Sequence, residues 1–147
     1  MDSKTRLIHG TCVDLAGAGV IFLGPPGSGK SDLALRLIDG GARLVADDQV
    51  VLRVEEGRLL ASPPAAIAGL LEVRGVGIVR LGFVNETTVR LLVDLVAPEM
   101  VDRLPDPERR ELAGVTVPVL SLAAFEASAA AKVRLAAGAS TGDIGAQ

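Results

Sequence analysis

The sequence predicts an α/β domain, and three observations indicate this fold class. Short apolar segments with strand-like composition recur along the chain. A glycine-rich loop at residues 24–31 lies directly between one such segment and a stretch with helical spacing. An alanine-rich segment follows at residues 123–137, and alanine loses the least entropy on entering a helix. A length of 147 residues is enough to bury one hydrophobic core.

The first half of the chain alternates strand and helix patterns. Four strands are predicted there, at residues 7–15, 20–23, 43–46 and 50–54. Between the second and third strands, apolar side chains recur at helical spacing from Ser31 onward. Gly40 and Gly41 are expected to end this helix, because glycine readily adopts the backbone conformation that follows a last helical turn.

The second half is less regular. Residues 61–77 contain prolines and glycines and predict a loop with a short helix. Strands are predicted at residues 77–81, 89–96 and 115–120, with at most a short helix at 108–112 and a longer one at 123–137. The leucine and valine residues of 89–96 and 115–122 are interpreted as core. We therefore predict one domain over residues 1–137 and a flexible tail over 138–147.

Composition argues against several function classes. The net charge is −3, basic residues are scattered, and the only aromatic residues are three Phe, so neither a basic surface nor stacking residues for nucleic acid are expected. One Cys and one His exclude an internal disulfide and a Cys/His zinc cluster. No signal peptide pattern is present, and no apolar run reaches the roughly 18 residues of a membrane span. A cytoplasmic protein without a membrane partner is expected.

One eight-residue motif carries the strongest functional signal, namely Gly24-Pro25-Pro26-Gly27-Ser28-Gly29-Lys30-Ser31. It matches the Walker A pattern in its usual context, with a strand before it and a helix after it. Glycines let backbone N–H groups turn toward phosphate oxygens, and the helix start adds its positive end. Lys30 is expected to reach the β- and γ-phosphates, and the Ser31 hydroxyl to bind Mg²⁺. The motif therefore predicts nucleotide binding, with ATP expected, rather than only a glycine-rich turn.

Two acidic residues, Asp47 and Asp48, follow the strand predicted at residues 43–46. We expect this strand to lie beside the strand that leads into the loop. Neighbouring residues of a strand face opposite ways, so one carboxylate could face Mg²⁺ and the other an acceptor hydroxyl. A weak carboxylate base suffices for phosphoryl transfer, because the transition state mainly requires orientation and late proton acceptance. The alternative is that the pair only caps a turn.

A second unusual segment contains Glu72 and Arg74, which would share one side of an extended chain. The carboxylate could complete the Mg²⁺ coordination, and the guanidinium could stabilise the charge of the transferring phosphate. By spacing alone, a surface ion pair is the simpler interpretation. His9 and Cys12 precede the loop, and each taken alone is interpreted as structural.

Four motifs in this order resemble the catalytic domain of the HPr kinase/phosphorylase family. They are His9-Gly10, the Walker A loop, Arg-Leu-Val-Ala-Asp-Asp at residues 43–48, and Glu-Val-Arg-Gly-Val-Gly-Ile at residues 72–78. The resemblance covers about residues 5–120 and is closest to the short HPr kinases of α-proteobacteria. It implies a P-loop-containing HPr kinase catalytic-domain-like fold, with a mixed β-sheet and flanking helices.

The resemblance also implies an activity, which is phosphorylation by Mg·ATP of a serine in an HPr-like phosphocarrier protein of a phosphotransferase system. Asp48 would accept the serine proton with His9 beside it, and Lys30 would bind phosphate. The implied metal ligands are Ser31, Glu72 and Asp47. Arg103 looks like the later catalytic arginine of the family.

The sequence also departs from the family pattern. Residues 118–122 lack the arginines of the motif tied to dephosphorylation, so the resemblance does not extend to the reverse reaction. The chain is expected to correspond to the catalytic domain alone, and a homo-oligomer is expected. Two alternatives remain open at this stage. One is a small-molecule kinase whose lid uses the arginines of residues 98–112, and the other is a non-catalytic nucleotide-sensing module.

Overall fold

A computed structural model describes residues 5–141 of the chain. Eleven strands and two α-helices are present in this range: β1 Arg6–His9, β2 Thr11–Leu15, β3 Ala18–Leu23, α1 Lys30–Asp39, β4 Arg43–Ala46, β5 Gln49–Glu55, β6 Arg58–Ser62, β7 Leu70–Val73, β8 Gly77–Arg80, β9 Thr87–Leu95, β10 Glu108–Leu112, β11 Val115–Leu122 and α2 Ala129–Thr141. Short 3₁₀ turns lie at Ala65–Ile67 and Pro98–Met100. The predicted α/β class is confirmed.

Nine strands form one mixed sheet in the order β1-β5-β6-β9-β3-β2-β4, with β11 added beside β9 and β10 beside β11. The central strand β9 runs parallel to both β3 and β11, and the other neighbours are antiparallel. Strands β7 and β8 form a separate hairpin. The parallel pairing brings the ends of β3 and β9 together, with Leu23 opposite Asp94, directly before the glycine-rich loop.

Both faces of the sheet bury apolar side chains, as the alternate residues of β3 illustrate. Its alternate residues Val20 and Phe22 join the cluster that packs under α1 and α2, whereas Ile21 joins the cluster on the opposite face. A strand covered on both sides is expected to be a continuous apolar run. Helix α1 contributes Leu33 and Leu37 to the first cluster. The loop is thus carried by a strand and a helix that are both anchored in the core.

Two predictions about the strands before and after the loop were wrong. Residues 7–15 form two strands rather than one, because the chain changes partners at Gly10: β1 pairs with β5, and β2 pairs with β3 and β4. The strand β4 was expected beside β3, yet β2 lies between them. The tight turn at Ala16 and Gly17 folds β2 back onto β3, so β2 occupies the edge of β3 where β4 was expected.

The later half also differs from the prediction at three places. Residues 108–112 are strand β10 rather than a helix, because a two-residue turn with positive φ at Ala113 and Gly114 folds them onto β11. The 61–77 segment contains the expected short helix, but also strand β7 and the end of β6. The last helix begins at Ala129 and continues to Thr141, and residues 142–147 of the predicted tail lie outside the described range.

The two long apolar segments predicted to be core are confirmed as such. Strand β9 buries Val89, Leu92 and Val93, and β11 buries Val117 and Leu122. Neither helix of the described part is long and apolar enough to cross a bilayer.

Candidate functional site

The glycine-rich loop connects β3 to α1 and depends on two glycines with positive φ. Gly27 has φ 83° and Gly29 has φ 98°, a region that residues with a Cβ rarely adopt. Gly29 is the N-cap of α1, and the Leu33 N–H donates to its carbonyl at 2.9 Å. No side chain caps this helix end. The N–H groups of the first turn therefore lack a side-chain acceptor and can bind an anion.

Lys30 folds its side chain back over the loop. Its Nζ donates to the carbonyl oxygens of Gly24 at 2.7 Å and Pro25 at 3.2 Å. These contacts are exposed, so the ammonium can exchange them for phosphate oxygens at little cost. Among the side chains of residues 5–138, the Ser28 Oγ is the one polar atom that is buried without a hydrogen-bond partner. Both features lie in the loop that the motif assigns to phosphate binding.

Asp47 connects the loop helix to two other parts of the fold. Its Oδ1 accepts hydrogen bonds from Ser31 Oγ at 2.7 Å and from Thr11 Oγ1 at 2.9 Å. Its Oδ2 accepts from the Glu72 N–H at 3.1 Å. Only 7% of Asp47 is exposed, and Thr11 is fully buried. The carboxylate joins α1, β2 and β7, which a residue that only caps its own turn would not do.

Asp48 lies in a different environment from its neighbour, as predicted, but strand alternation is not the cause, because β4 ends at Ala46 and both residues lie in the bend that follows it. It is exposed and has φ 70°, so the backbone turns sharply between β4 and β5. Its carbonyl accepts from the Gly10 N–H at 3.1 Å, and His9 pairs with Gln49 across β1 and β5. The His9-Gly10 and Asp48-Gln49 segments are therefore direct neighbours at this edge of the site.

Glu72 and Arg74 do not share a side of one strand, which corrects that prediction. Strand β7 ends at Val73, and Arg74 begins the turn to β8, so strand alternation does not extend to it. Both side chains are exposed, and no ion pair joins them within residues 5–141. Only the backbone of Glu72 contacts Asp47. Arg103 is exposed in the irregular segment before β10, and the hydrogen bonds and ion pairs of the described residues do not link it to the loop.

Thr11 is the residue of the site that sequence reasoning missed. A threonine in a strand pattern is ordinarily explained by its β propensity, so its hydroxyl gave no signal. Thr11 is the first residue of β2, directly after Gly10. Strand β2 pairs with β4, which ends directly before Asp47, so the Thr11 hydroxyl reaches that carboxylate.

Cys12 lies next to Thr11 but takes no part in the chemistry. It is fully buried, and this burial raises the pKa of its thiol. The thiol therefore stays protonated and is a poor nucleophile. Its interpretation as a core residue is confirmed.

The oxygen donors near the loop suit a magnesium ion that is shared with phosphates. No three His, Cys, Asp or Glu side chains cluster as a metal site in the part of the chain that the structure describes. The Ser31 Oγ and Asp47 Oδ1 nevertheless meet directly at the start of α1. Mg²⁺ prefers such hard oxygen ligands and usually takes one or two from protein and others from substrate phosphates. The residues present therefore fit this metal.

Comparisons with known proteins identify relatives of this chain. The family model of the HPr Serine kinase C-terminal domain matches residues 2–139. A curated relative from Clostridium tetani, named HPr kinase/phosphorylase, is 51% identical over 76 residues, which are 52% of this chain and 25% of that protein. The chain thus aligns with about a quarter of that relative's length. The solved structure of the Hpr(Ser) kinase/phosphatase from Coxiella burnetii matches with a TM-score of 0.78 at 28% identity, covering 87% of this chain and 91% of that one.

Proposed function

This chain belongs to the HPr serine kinase C-terminal domain family, and from that membership we propose that it is a protein serine kinase. The donor is Mg·ATP, and the acceptor is a serine hydroxyl of an HPr-like phosphocarrier protein with a regulatory role. The observation that carries the proposal is the position of Asp47, which joins the loop helix, β2 and the β7–β8 hairpin at one carboxylate. This connection places the loop helix next to the hairpin segment that carries Glu72.

The loop and its helix would bind the phosphates of ATP. The uncapped start of α1 supplies N–H groups, and Lys30 exchanges its two carbonyl acceptors for phosphate oxygens. Ser31 and Asp47, with Glu72 from the neighbouring hairpin, would hold Mg²⁺, which neutralises phosphate charge when bound. Arg74 and Arg103 are the proposed cations for the charge of the transferring group, and both are exposed and available to a bound substrate.

Asp48 is the proposed base that accepts the serine proton. It is exposed next to the buried Asp47, so it can meet a hydroxyl that arrives from solvent on a protein substrate. His9 lies on the adjoining strand and would contact the same hydroxyl region. In-line transfer then breaks the bond between the γ-phosphorus and its bridging oxygen, forms the serine phosphate and leaves ADP.

The proposal covers the forward reaction. Residues 118–122 lie in strand β11 and contain no arginine, so no cation is available there to bind inorganic phosphate for the reverse reaction. We further propose that the protein is cytoplasmic, where it would meet a soluble carrier. We also propose that it forms a homo-oligomer.

The test is a phosphotransfer assay with the purified protein, labelled ATP, Mg²⁺ and an HPr-like carrier. Label is expected on a carrier serine, and a carrier with that serine changed to alanine should stay unlabelled. Asp48→Asn is expected to reduce transfer by about 10²- to 10⁴-fold, the usual contribution of a general base. Binding of ATP should change little, because Asp48 is exposed and, among the described residues, no hydrogen bond or ion pair joins its side chain to the loop.

The matched control is Asp39→Asn, which changes an exposed carboxylate at the far end of α1. It should transfer phosphate like the wild type. Binding of ATP without any transfer to serine would indicate a nucleotide-sensing module instead. Transfer that survives Asp48→Asn at full rate would show that Asp48 is not the base.

A further inference from the structure

A cavity of about 530 Å³ lies beside the first half of the glycine-rich loop. Three segments line it: loop residues 25–28, residues 95–98 at the end of β9, and residues 123–126 after β11. Its volume is in the range of small-molecule sites. The cavity shares four residues with the loop, so a ligand whose phosphates lie in the loop can extend directly into it.

The lining of this cavity is mostly apolar and includes one aromatic ring. Proline, alanine, leucine and valine side chains form most of it, together with Phe125. The chain has three Phe, of which Phe22 is fully buried in the core and Phe83 packs near Gly69. Phe125 is 70% exposed. It is therefore the Phe whose ring is available to stack on a ligand.

Phe125 is held against the loop by close packing. A Cβ placed on Gly29 would lie 3.0 Å from the Phe125 Cζ and 2.7 Å from the Ala124 Cβ. Only a glycine at this position allows the ring to approach the N-terminus of α1 so closely. The ring is thus fixed next to the site where the phosphates would bind, rather than on an unrelated surface.

Helix α1 also fixes the backbone of the segment that carries the ring. The Arg36 guanidinium donates to the Ala124 carbonyl and, at 3.3 Å, to the Glu126 carbonyl. The Glu126 carboxylate is engaged with Lys132 at 2.7 Å. These contacts connect residues 123–126 to both helices. The segment is therefore positioned before a ligand binds, which lowers the entropic cost of binding.

We infer that this cavity binds the nucleoside of the nucleotide, with the base stacked on Phe125. The inference rests on the proposed function, because that function places the triphosphate in the loop. A group attached to those phosphates and entering an apolar cavity must itself offer a flat apolar face, and a nucleoside base does so. Aromatic stacking does not distinguish one base from another, so Phe125 contributes affinity for the base rather than selectivity among bases.

The test compares two ligands that differ only in the nucleoside, Mg·ATP and Mg·tripolyphosphate, by calorimetric titration. Phe125→Ala is expected to weaken ATP binding on the order of 10-fold, which is typical of removing one stacking residue. Tripolyphosphate binding should be unchanged, because its contacts are confined to the loop. Leu135→Ala is the matched control, since it removes an exposed apolar side chain from α2 away from the cavity and should affect neither ligand.

A second variant reports the stacking directly. The chain has no Trp, so Phe125→Trp introduces a single fluorophore at the proposed contact. ATP should bind to it with wild-type affinity and quench its fluorescence, whereas tripolyphosphate should leave the emission unchanged. Equal loss of both ligands in Phe125→Ala, or no loss of either, would overturn the inference.

The outcomes also separate this inference from the proposed function. If ATP binds through Phe125 but no serine is phosphorylated, the kinase proposal fails and the nucleoside site stands. If serine is phosphorylated while Phe125→Ala binds ATP normally, the nucleoside site fails and the kinase proposal stands. If the wild type binds neither ligand, both are refuted.

Discussion

Replacing Asp47 by alanine tests whether one carboxylate holds the site together. The change removes the acceptor for three donors, which are the hydroxyls of Thr11 and Ser31 and the N–H of Glu72. Those donors come from β2, α1 and β7. We therefore expect Asp47→Ala to lower the free energy of unfolding as well as to impair the proposed magnesium site.

The magnitude depends on which donors can find water instead. Thr11 is fully buried, so its hydroxyl loses its partner without replacement, at a cost of about 1–3 kcal/mol. The Ser31 and Glu72 bonds are only partly buried, and water can replace Asp47 there at a smaller cost. Together these terms predict a loss of about 2–4 kcal/mol. For a domain of this size, that lowers the melting temperature by about 6–12 °C.

Urea unfolding followed by circular dichroism measures this change, and a double-mutant cycle identifies its cause. Thr11→Val removes the buried hydroxyl that Asp47→Ala leaves unpaired. The double variant should therefore be more stable than the sum of the two single changes predicts, by about 1 kcal/mol. Asp39→Ala is the control, because it removes an exposed carboxylate from α1 and should cost less than about 0.5 kcal/mol.

Two results would refute the reasoning. A free energy of unfolding for Asp47→Ala that equals that of Asp39→Ala would mean that the three hydrogen bonds contribute nothing net. Strict additivity between Asp47→Ala and Thr11→Val would mean that the buried hydroxyl is not what the carboxylate satisfies.

Two further predictions concern the loop and the core. Gly29→Ala should lower the free energy of unfolding, measured in urea, by about 1–3 kcal/mol more than Gly57→Ala. Both glycines have positive φ, but only a Cβ at Gly29 would meet Ala124 and Phe125, at 2.7 and 3.0 Å. Equal losses of stability would show that residues 124 and 125 move aside freely. Burial raises the pKa of the Cys12 thiol, so above about pH 8.5 the unfolded chain loses a proton that the folded chain keeps, and stability should fall by about 1.4 kcal/mol per pH unit. The chain has no Tyr to titrate in that range, and a Cys12→Ala variant that kept the same slope would contradict the assignment.

Much of the local structure was predictable because it depends on neighbouring residues. Helix α1 follows from its apolar spacing and from the two glycines that end it. The loop follows from Gly27 and Gly29, whose positive φ few other residues tolerate. The different environments of Asp47 and Asp48 were predicted from strand alternation, but they arise in the bend after β4, where Asp48 has φ 70°.

Strand β10 shows where such reasoning stops. Its Glu-Arg-Arg-Glu-Leu sequence has no alternation of apolar residues and lies among prolines, so no strand was predicted. Its pairing with β11 and the ion pair between Arg110 and Asp94 of β9 decide its conformation. Strand β11 begins only three residues after β10 ends, whereas Asp94 lies 16 residues before Arg110. Tertiary contacts therefore override a weak local preference.

By itself, the sequence determined that a strand–loop–helix unit with a Walker A motif exists, and its ordered motifs indicated the family. These properties are local, because they depend on glycine conformation, residue spacing and the order of short segments. Only the tertiary structure decided that β2 separates β3 from β4, that Thr11 is a partner of Asp47, and that Phe125 lies on Gly29. Each of these features depends on which segments come into contact in the folded chain, and the packing of the whole sheet and its helices determines those contacts.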